Sequence, residues 1–227
     1  MYGISLSAGQ LAQFARYLDL LSDWSRRMNL VADADPAVVV QRHFLESIAL
    51  GAALREREIL RPGASVLEVG AGAGFPGLVL KIAWPAIDLT LLEATAKKAA
   101  FLSAAVEALG LAGTRVLTGR AEDLAHDPEL RGVFDLVVAR AVAPLPVLLE
   151  LTLPFARVGG RVASPKGSRA AGEIAAASNA LRVLGGKLVA MPLRVPGPPQ
   201  TLVIVIKQRE TPAEYPRRPG VPAKSPL

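Results

Sequence analysis

A glycine-rich loop between an apolar run and a helical pattern constrains the fold of this chain more than any other feature. The loop lies in LEVGAGAGFPG, residues 67–77, and has glycine at positions 70, 72, 74 and 77. The apolar run ASVLEVG predicts a short buried strand, and FPGLVLKIAW predicts the helix that follows the loop. Because glycine has no Cβ, such a loop lets a ligand approach the backbone closely. A strand, a glycine loop and a helix in this order begin the nucleotide-binding half of a doubly wound α/β sheet.

Strands and helices continue to alternate along the chain. We predict further strands at residues 88–93, 114–119, 134–140 and 159–167, with helices between them. A last helix is predicted at about 170–184. The final two apolar runs, LVAMPLRV and TLVIVIKQ, are separated by PGPPQ and predict a hairpin. The pattern therefore predicts a mostly parallel, seven-stranded sheet that is covered by helices on both faces.

Two helices are predicted ahead of the sheet. The first covers residues 8–30, and the second begins after Asp35-Pro36, a good pair for an N-cap and a first turn. The apolar stripe of the first helix is formed by Leu11, Phe14, Leu18 and Leu21. We therefore predict a helical N-terminal extension (1–60), an α/β domain (61–207) and a basic, proline-rich, extended tail (208–227).

Composition narrows the chemistry and the location. There is no cysteine, and the histidines are His43 and His126, so we expect neither a disulfide nor a metal site. No signal peptide or run of 18 apolar residues is evident, which predicts a cytoplasmic protein that does not span a membrane. The net charge is +6, and residues 207–227 hold five cations against two acids. A basic excess of this kind suits a polyanionic partner such as RNA.

The glycine loop fits two nucleotide cofactors. Gly72, Gly74 and Gly77 match the dinucleotide pattern G-x-G-x-x-G. Glu68 with Gly70, Gly72 and Gly74 spells E-x-G-x-G-x-G, which suggests S-adenosylmethionine. Glu93 ends the second predicted strand, where a carboxylate can accept both ribose hydroxyls of either cofactor.

Three features favour S-adenosylmethionine over NAD. Glu68 is expected to meet an ammonium group, which NAD lacks. Ala121-Glu122, after the third strand, offers an amide and an acid to an adenine edge. All three tyrosines lie outside the predicted sheet, whereas a dehydrogenase needs a proton donor near its hydride site. An NAD-binding Rossmann protein remains the alternative.

Residues and motifs that the sequence lacks reduce the range of possible methyl acceptors. Methylation of a pyrimidine at carbon 5 usually needs a cysteine nucleophile, and exocyclic amine methylation commonly uses an N/D-P-P-Y/F segment after the fourth strand. Here that segment is ARAVAP, residues 139–144. An acceptor with a free lone pair, such as guanine N7, loses no proton and needs no general base, so positioning would dominate catalysis. A small-molecule acceptor remains open.

These residues resemble the RsmG (GidB) family. The resemblance is carried by LEVGAGAGFPGLVLKI, VVARAVAPL, SPKG and YPRRPGVPAKSPL, and by the pairs Asn29-Leu30, Arg42-His43 and Glu46-Ser47. It implies a class I methyltransferase fold with a helical N-terminal extension, and S-adenosylmethionine as the cofactor. It also implies methylation of N7 of a guanine, guanine 527, in bacterial 16S ribosomal RNA of the small subunit. The chain departs from the family pattern at Val31, Glu46 and Pro165, where threonine, aspartate and an apolar residue are usual.

The resemblance and the loop together predict the site residues. The expected cofactor-binding residues are Glu68, Gly70, Gly72, Gly74, Phe75, Glu93, Ala94, Thr95, Ala121, Glu122 and Arg140. Arg140 and Lys166, at the ends of the fourth and fifth strands, are the expected catalytic residues, acting by positioning. The expected RNA-binding residues are Arg42, His43, Lys166, Arg217 and Arg218. No metal is expected, and the protein is expected to be a monomer.

Some of these residues also have simpler interpretations. Arg140 could form an ion pair with a local acid, and Lys166 could be a solvated side chain. Phe75 could pack under the loop or shield the methyl group. His43 could be structural, and His126 is expected to be exposed.

Overall fold

The computed structural model describes residues 3–227, which contain one seven-stranded sheet with the order β3-β2-β1-β4-β5-β7-β6. Strands β1 to β5 pair in parallel, whereas β7 runs antiparallel to β5 and β6. This confirms the predicted class I fold and its terminal hairpin. The strands are β1 (Ser65–Val69), β2 (Asp88–Glu93), β3 (Thr114–Thr118), β4 (Phe134–Val138), β5 (Ala156–Lys166), β6 (Gly186–Leu193) and β7 (Gln200–Lys207).

Helices cover both faces of the sheet, as continuous apolar strands require. The central strand β1 is buried from Val66 to Val69, and β4 is buried from Leu136 to Val138. The helices are α1 (Ala8–Ser25), α2 (Pro36–Val39), α3 (Leu45–Arg55), α4 (Gly77–Ala83), α5 (Ala96–Ala108), α6 (Ala121–Leu124), α7 (Leu145–Thr152), α8 (Ala170–Ala176), α9 (Ser178–Leu184) and α10 (Val221–Lys224).

The helices that precede the sheet pack against α4 and α5. Ser7 and Gln10 form a capping box at the start of α1, and Asp35 accepts hydrogen bonds from the first amides of α2. Between α2 and α3 the chain forms a π-helical segment, Val40–Phe44, which makes one composite helix of Pro36–Arg55. This helix is long and apolar enough to cross a membrane by length and composition, but half of its apolar window is buried inside the protein.

The predicted stripe of α1 is partly wrong. The structure buries Phe14, Tyr17 and Leu21, whereas Leu11 is 55% exposed. The spacings of three and four residues from Phe14 to Tyr17 and Leu21 define the buried face, so Tyr17 belongs to the core.

The helix predicted at 170–184 is two helices. The chain turns at the fully buried Ala177, whose φ of −84° and ψ of −1° separate α8 from α9. The apolar spacing on either side is helical, so the sequence pattern does not reveal this local turn.

The tail predicted to be extended instead folds back onto the sheet domain. Arg131 donates hydrogen bonds to the carbonyls of Thr211, Pro212 and Tyr215. His126, which is exposed as predicted, contacts the carbonyl of Pro216 through Nε2 at 2.8 Å. These contacts join residues about 80 to 90 positions apart, so proline content alone could not predict them.

Candidate functional site

The glycine loop lies at the carboxyl ends of the parallel strands. Gly70 and Ala71 donate hydrogen bonds to the carbonyl of Leu92, which joins the loop after β1 to the end of β2. Gly70 has φ of +70°, a left-handed conformation that favours glycine. A Cβ on Gly70 would lie 2.8 Å from Cγ2 of Val142, so the loop after β4 touches the glycine loop directly.

Glu93 is held at this edge by two backbone amides. Its Oε2 accepts from the amide of Gly72 and its Oε1 from the amide of Thr95, each at 2.8 Å. The carboxylate is buried but retains a lone pair on each oxygen. It can therefore accept further hydrogen bonds from a vicinal diol without moving.

Glu68 lies beneath the loop. Its Oε2 accepts from the amide of Gly77 at 2.9 Å, at the start of α4. Its Oε1 is buried and has no hydrogen-bond partner within residues 3–227. Burial raises the pKa of this carboxyl from its ordinary value of 4.5 to about 8, although the hydrogen bond from Gly77 acts in the opposite direction. The unpartnered oxygen is suited to a donor such as an ammonium group.

We predict that the unfolding free energy depends on pH through Glu68. Because its pKa is raised in the folded state, the folded protein holds a proton that the unfolded chain releases between pH 4.5 and about 8. Its contribution to the unfolding free energy should therefore fall as pH rises through this window. Glu68→Gln, which can still accept from Gly77, should remove the fall when urea unfolding is measured at several pH values. The exposed Glu56→Gln is the matched control, and parallel curves for wild type and Glu68→Gln would contradict the assignment.

Tyr17 reaches the loop from the N-terminal helices, a contact that the sequence analysis did not predict. Its hydroxyl is fully buried and donates to the carbonyl of Ala73. Its ring centroid lies 5.4 Å from those of Phe44 and Phe75. Burial raises the pKa of Tyr17, so the hydroxyl keeps its proton. The N-terminal helices therefore form one wall of the glycine loop.

Arg140 lies two residues beyond β4, at the predicted edge of the sheet. Its Nη2 donates to Nδ1 of His43 at 2.9 Å. Its Nη1 donates to the carbonyl of Arg42 at 3.2 Å and lies 3.5 Å from Oε2 of Glu46. The guanidinium also lies over the ring of Phe75, 5.4 Å from the centroid. Arg140 therefore forms the local ion pair that was its simpler interpretation, and it lies beside the glycine loop.

His43 is neutral in this arrangement. Burial and the charges of Arg140 and Arg42 lower the pKa of the imidazole to about 4. A neutral ring can accept from Arg140 through Nδ1, which places its own proton on Nε2. The ring also stacks on Phe75, with the centroids 4.7 Å apart and the planes 16° from parallel. Phe75 is therefore buried between the loop and His43 rather than free at the mouth of the site.

A cavity of about 690 Å³ opens beside Arg140, at the ends of β4 and β5. Its ionisable lining residues are Arg42, His43, Glu46, Arg140, Lys166, Arg169 and Glu173. The expected RNA-binding residues Arg42, His43 and Lys166 are brought together here, whereas Arg217 and Arg218 are not among its lining residues. Arg42 and Arg169 are exposed.

Lys166 is buried and is not the solvated side chain that was the alternative. Its Nζ donates to the carbonyl of Ala143 and lies 2.9 Å from Oε2 of Glu173. The same Glu173 oxygen accepts from the amide of Leu145, at the start of α7. Lys166 and Glu173 therefore fix the loop after β4. Glu173 was not predicted as a site residue, because it lies on the short helix α8, whose sequence pattern does not show which way its side chain turns.

The residues that were predicted to lie near the adenine of the cofactor are found at the ends of β2 and β3. Ala94 and Thr95 are exposed beyond β2, and Ala121 begins α6 beyond β3. Oε1 of Glu122 accepts from the amide of Gly220 at 3.2 Å, so the C-terminal segment also reaches this edge.

The two arginines of the C-terminal segment differ in their surroundings. Arg217 donates three hydrogen bonds to the fully buried Glu150, from its backbone amide, Nε and Nη2. This pairing raises the pKa of Arg217. Arg218 is exposed.

Solved structures show the same fold. A mutant of MtNAS in complex with S-adenosylmethionine matches 88% of this chain and 74% of its own, with a TM-score of 0.60 and 18% identity. A precorrin-6y C5,15-methyltransferase from Geobacter metallireducens matches 72% of this chain and 87% of its own, with a TM-score of 0.51 and 12% identity. At these identities the likeness concerns the fold alone, which is that of class I methyltransferases.

Proteins found by sequence comparison share a much higher identity with this chain than these solved structures do. The ribosomal RNA small subunit methyltransferase G of Chloroflexus aggregans is 46% identical over the whole chain and 94% of its own length. The enzyme of the same name from Dehalococcoides mccartyi is 46% identical over 99% of this chain and 95% of its own. The model of rRNA small subunit methyltransferase G matches residues 10–200. The chain therefore belongs to the rRNA small subunit methyltransferase G family, whose cofactor is S-adenosylmethionine.

Proposed function

We propose that this protein transfers a methyl group from S-adenosylmethionine to N7 of a guanine in 16S ribosomal RNA, and that the target is guanine 527. The observation that carries this proposal is the cation-lined cavity beside the glycine loop. At about 690 Å³ it lies within the usual size range of ligand pockets, so it is large enough for a nucleotide. The Arg42, Arg140, Lys166 and Arg169 side chains suit an RNA backbone.

The proposed cofactor site follows the glycine loop. Glu93 would accept from the ribose hydroxyls, and the unpartnered Oε1 of Glu68 is suited to the ammonium group. Ala121 and Glu122 would meet the adenine edge, next to Ala94 and Thr95. Bound S-adenosylmethionine supplies a sulfonium methyl group, and Gly70, Gly72 and Gly74 leave room for it at the backbone.

The cavity residues suit an acceptor that loses no proton. Among the described lining residues, both acids and the histidine each contact a cation: Glu46 and His43 contact Arg140, and Glu173 contacts Lys166. Because Glu46, Glu173 and His43 already accept hydrogen bonds from these cations, they are poorly placed to remove a proton from an acceptor. Guanine N7 attacks the methyl group with a free lone pair, and orientation then supplies most of the catalysis.

The remaining proposed contacts are with the RNA backbone. Arg42 at the cavity and Arg218 on the C-terminal segment are exposed and can bind phosphates, with Lys166 and His43 nearer the acceptor. Arg217 would contribute mainly by holding this segment, because its guanidinium is paired with Glu150. We place the protein in the cytoplasm, as a monomer acting on the small ribosomal subunit.

The test is to locate the methyl group. Mass mapping of 16S ribosomal RNA from cells with and without the gene should show one methylated guanine that is lost in the deletion strain. Purified protein with labelled S-adenosylmethionine should restore it on small subunits from that strain. A methyl group at another nucleotide would overturn the guanine 527 assignment, and transfer only to a small molecule would favour the alternative function.

We predict that Glu93→Ala weakens S-adenosylmethionine binding by ~1–3 kcal/mol, because charge-assisted hydrogen bonds to the ribose are lost. Isothermal titration calorimetry measures this directly, with the exposed Glu56→Ala as the matched control. NAD, titrated in the same way, should give no signal. Unchanged affinity in Glu93→Ala would remove Glu93 from the cofactor site.

A further inference from the structure

Three acceptors for the Arg140 guanidinium come from a single stretch of the N-terminal helices. They are the carbonyl of Arg42, Nδ1 of His43 and Oε2 of Glu46. Arg42 and His43 lie inside the π-helical segment Val40–Phe44, and Glu46 follows it in α3. A π-helical turn changes the direction in which side chains leave a helix, and such turns are frequent at functional sites. The segment therefore directs these groups toward an arginine nearly 100 residues away in the sequence.

Arg140 needs external support. It precedes Ala141, whose φ of +57° is left-handed, on the loop between β4 and α7. A long arginine side chain on such a loop loses much rotamer entropy when it is held in one geometry. Within the part of the chain that the structure describes, Nε of Arg140 donates to no partner, while both terminal nitrogens donate to the N-terminal helices. The helices therefore hold one edge of the guanidinium and leave Nε available.

His43 makes two different contacts that fix this geometry. Its Nδ1 accepts from Nη2 of Arg140 at 2.9 Å, and its ring stacks on Phe75, over which the guanidinium also lies. The low pKa of the imidazole is consistent with a permanent acceptor at neutral pH. Phe75 belongs to the glycine loop, so the stack connects His43 to the cofactor side as well.

We propose that His43 is a positioning residue for Arg140, holding the guanidinium against Phe75 so that its free Nε edge faces the reacting groups. This inference rests on the proposed function, because it takes Arg140 to act in methyl transfer. It gives His43 a role through Arg140, in addition to the proposed contact near the acceptor.

A double-mutant cycle tests the proposal. Wild type, His43→Phe, Arg140→Ala and the double variant are compared, because phenylalanine keeps the stacking ring but has no acceptor. Arg140→Ala first shows which parameter depends on Arg140: kcat, the KM for either substrate or the cofactor affinity. His43→Phe should lower activity through the same parameter, by about tenfold. When Arg140 is already alanine, adding His43→Phe should change the same kinetic or binding parameter by less than about twofold. Equal effects in both backgrounds, or no effect in either, would overturn the proposal.

A second measurement does not depend on activity. The chain has two histidines, His43 and His126, so NMR can resolve the ring signals of His43 and follow its titration. The charges that act on His43 are those of Arg140 and Arg42, and Glu46 contacts the same Arg140 guanidinium. In Arg140→Ala the pKa of His43 should rise from about 4 toward 6.5, because the charge of Arg140 no longer opposes protonation of the ring. An unmoved His43 would overturn the contact.

The failure of this inference is distinguishable from failure of the proposed function. Total methyl transfer to the small subunit and cofactor affinity by calorimetry can both be measured whichever nucleotide is the target. If mass mapping finds a different nucleotide, the cycle still reports whether His43 acts through Arg140. If the target is guanine 527 and the cycle is additive, only the inference fails.

Discussion

Replacing Arg140 by alanine should lower methyl transfer to the small ribosomal subunit by about 10²-fold or more, the scale expected when orientation of reacting groups fails. The guanidinium lies beside both the glycine loop and the cavity, fixed by three acceptors and by the ring of Phe75. Alanine removes every one of these contacts. Since Glu46 and His43 line an open cavity that water can enter, the variant should still fold. Initial rates with labelled S-adenosylmethionine, together with a thermal unfolding curve, measure both effects.

Arg140→Lys is the matched variant for geometry. An ammonium group cannot donate in parallel to two acceptors as a guanidinium does, so this variant should recover little activity although it keeps the charge. Arg26→Ala, at an exposed position after α1, is the control for loss of a cation and should behave as wild type. Near-wild-type methylation by Arg140→Ala would limit this arginine to a structural ion pair.

Arg217→Ala should destabilise the folded protein by about 3 kcal/mol, the lower part of the range for removing one partner of a buried ion pair. Glu150 is fully buried, and the substitution removes the hydrogen bonds from Nε and Nη2 while keeping the one from the backbone amide. The remaining carboxylate would be buried without a counter-charge. Urea unfolding measures the loss, and the exposed Arg218→Ala should stay within about 0.5 kcal/mol of wild type.

A second substitution separates this mechanism from general damage to the C-terminal segment. If the cost comes from the uncompensated charge, Glu150→Gln combined with Arg217→Ala should be more stable than Arg217→Ala alone, because a buried amide costs less than a buried carboxylate. If the losses of unfolding free energy in the two single variants simply add up in the double variant, the ion-pair explanation is contradicted. Reduced RNA binding by Arg218→Ala with unchanged stability would show that the two adjacent arginines have separate roles.

The sheet could be predicted from the sequence because its signals are local. Strand-like runs of six to nine residues, the glycine loop and the PGPPQ turn each report on neighbouring residues, and together they predict the seven strands. The position of Glu93 also followed from local pattern, since a residue that ends a parallel strand must lie at the carboxyl edge. Arg140 was placed at that edge for the same reason.

The partners of these residues could not be predicted in this way. Tyr17 and Ala73 are 56 positions apart, and Arg140 and His43 are 97 apart. A solvated side chain was the alternative for Lys166, because the local pattern does not show that Glu173 and the carbonyl of Ala143 surround its ammonium group. The tail was predicted to be extended from its prolines, yet Arg131 and Glu150 bind it from distant elements. Burial of polar groups depends on tertiary packing, which local periodicity does not report.

The contact between Gly70 and Val142 has a thermodynamic consequence. The space that a Cβ on Gly70 would need is taken by a methyl group from the loop that lines the acceptor cavity. If a ligand displaces one loop, this contact passes the displacement to the other loop, and the two binding equilibria are then linked. Linkage is reciprocal: any factor by which the cofactor changes the affinity for RNA is the factor by which RNA changes the affinity for the cofactor. One binding titration, repeated with and without the second ligand, gives the coupling free energy for both sites.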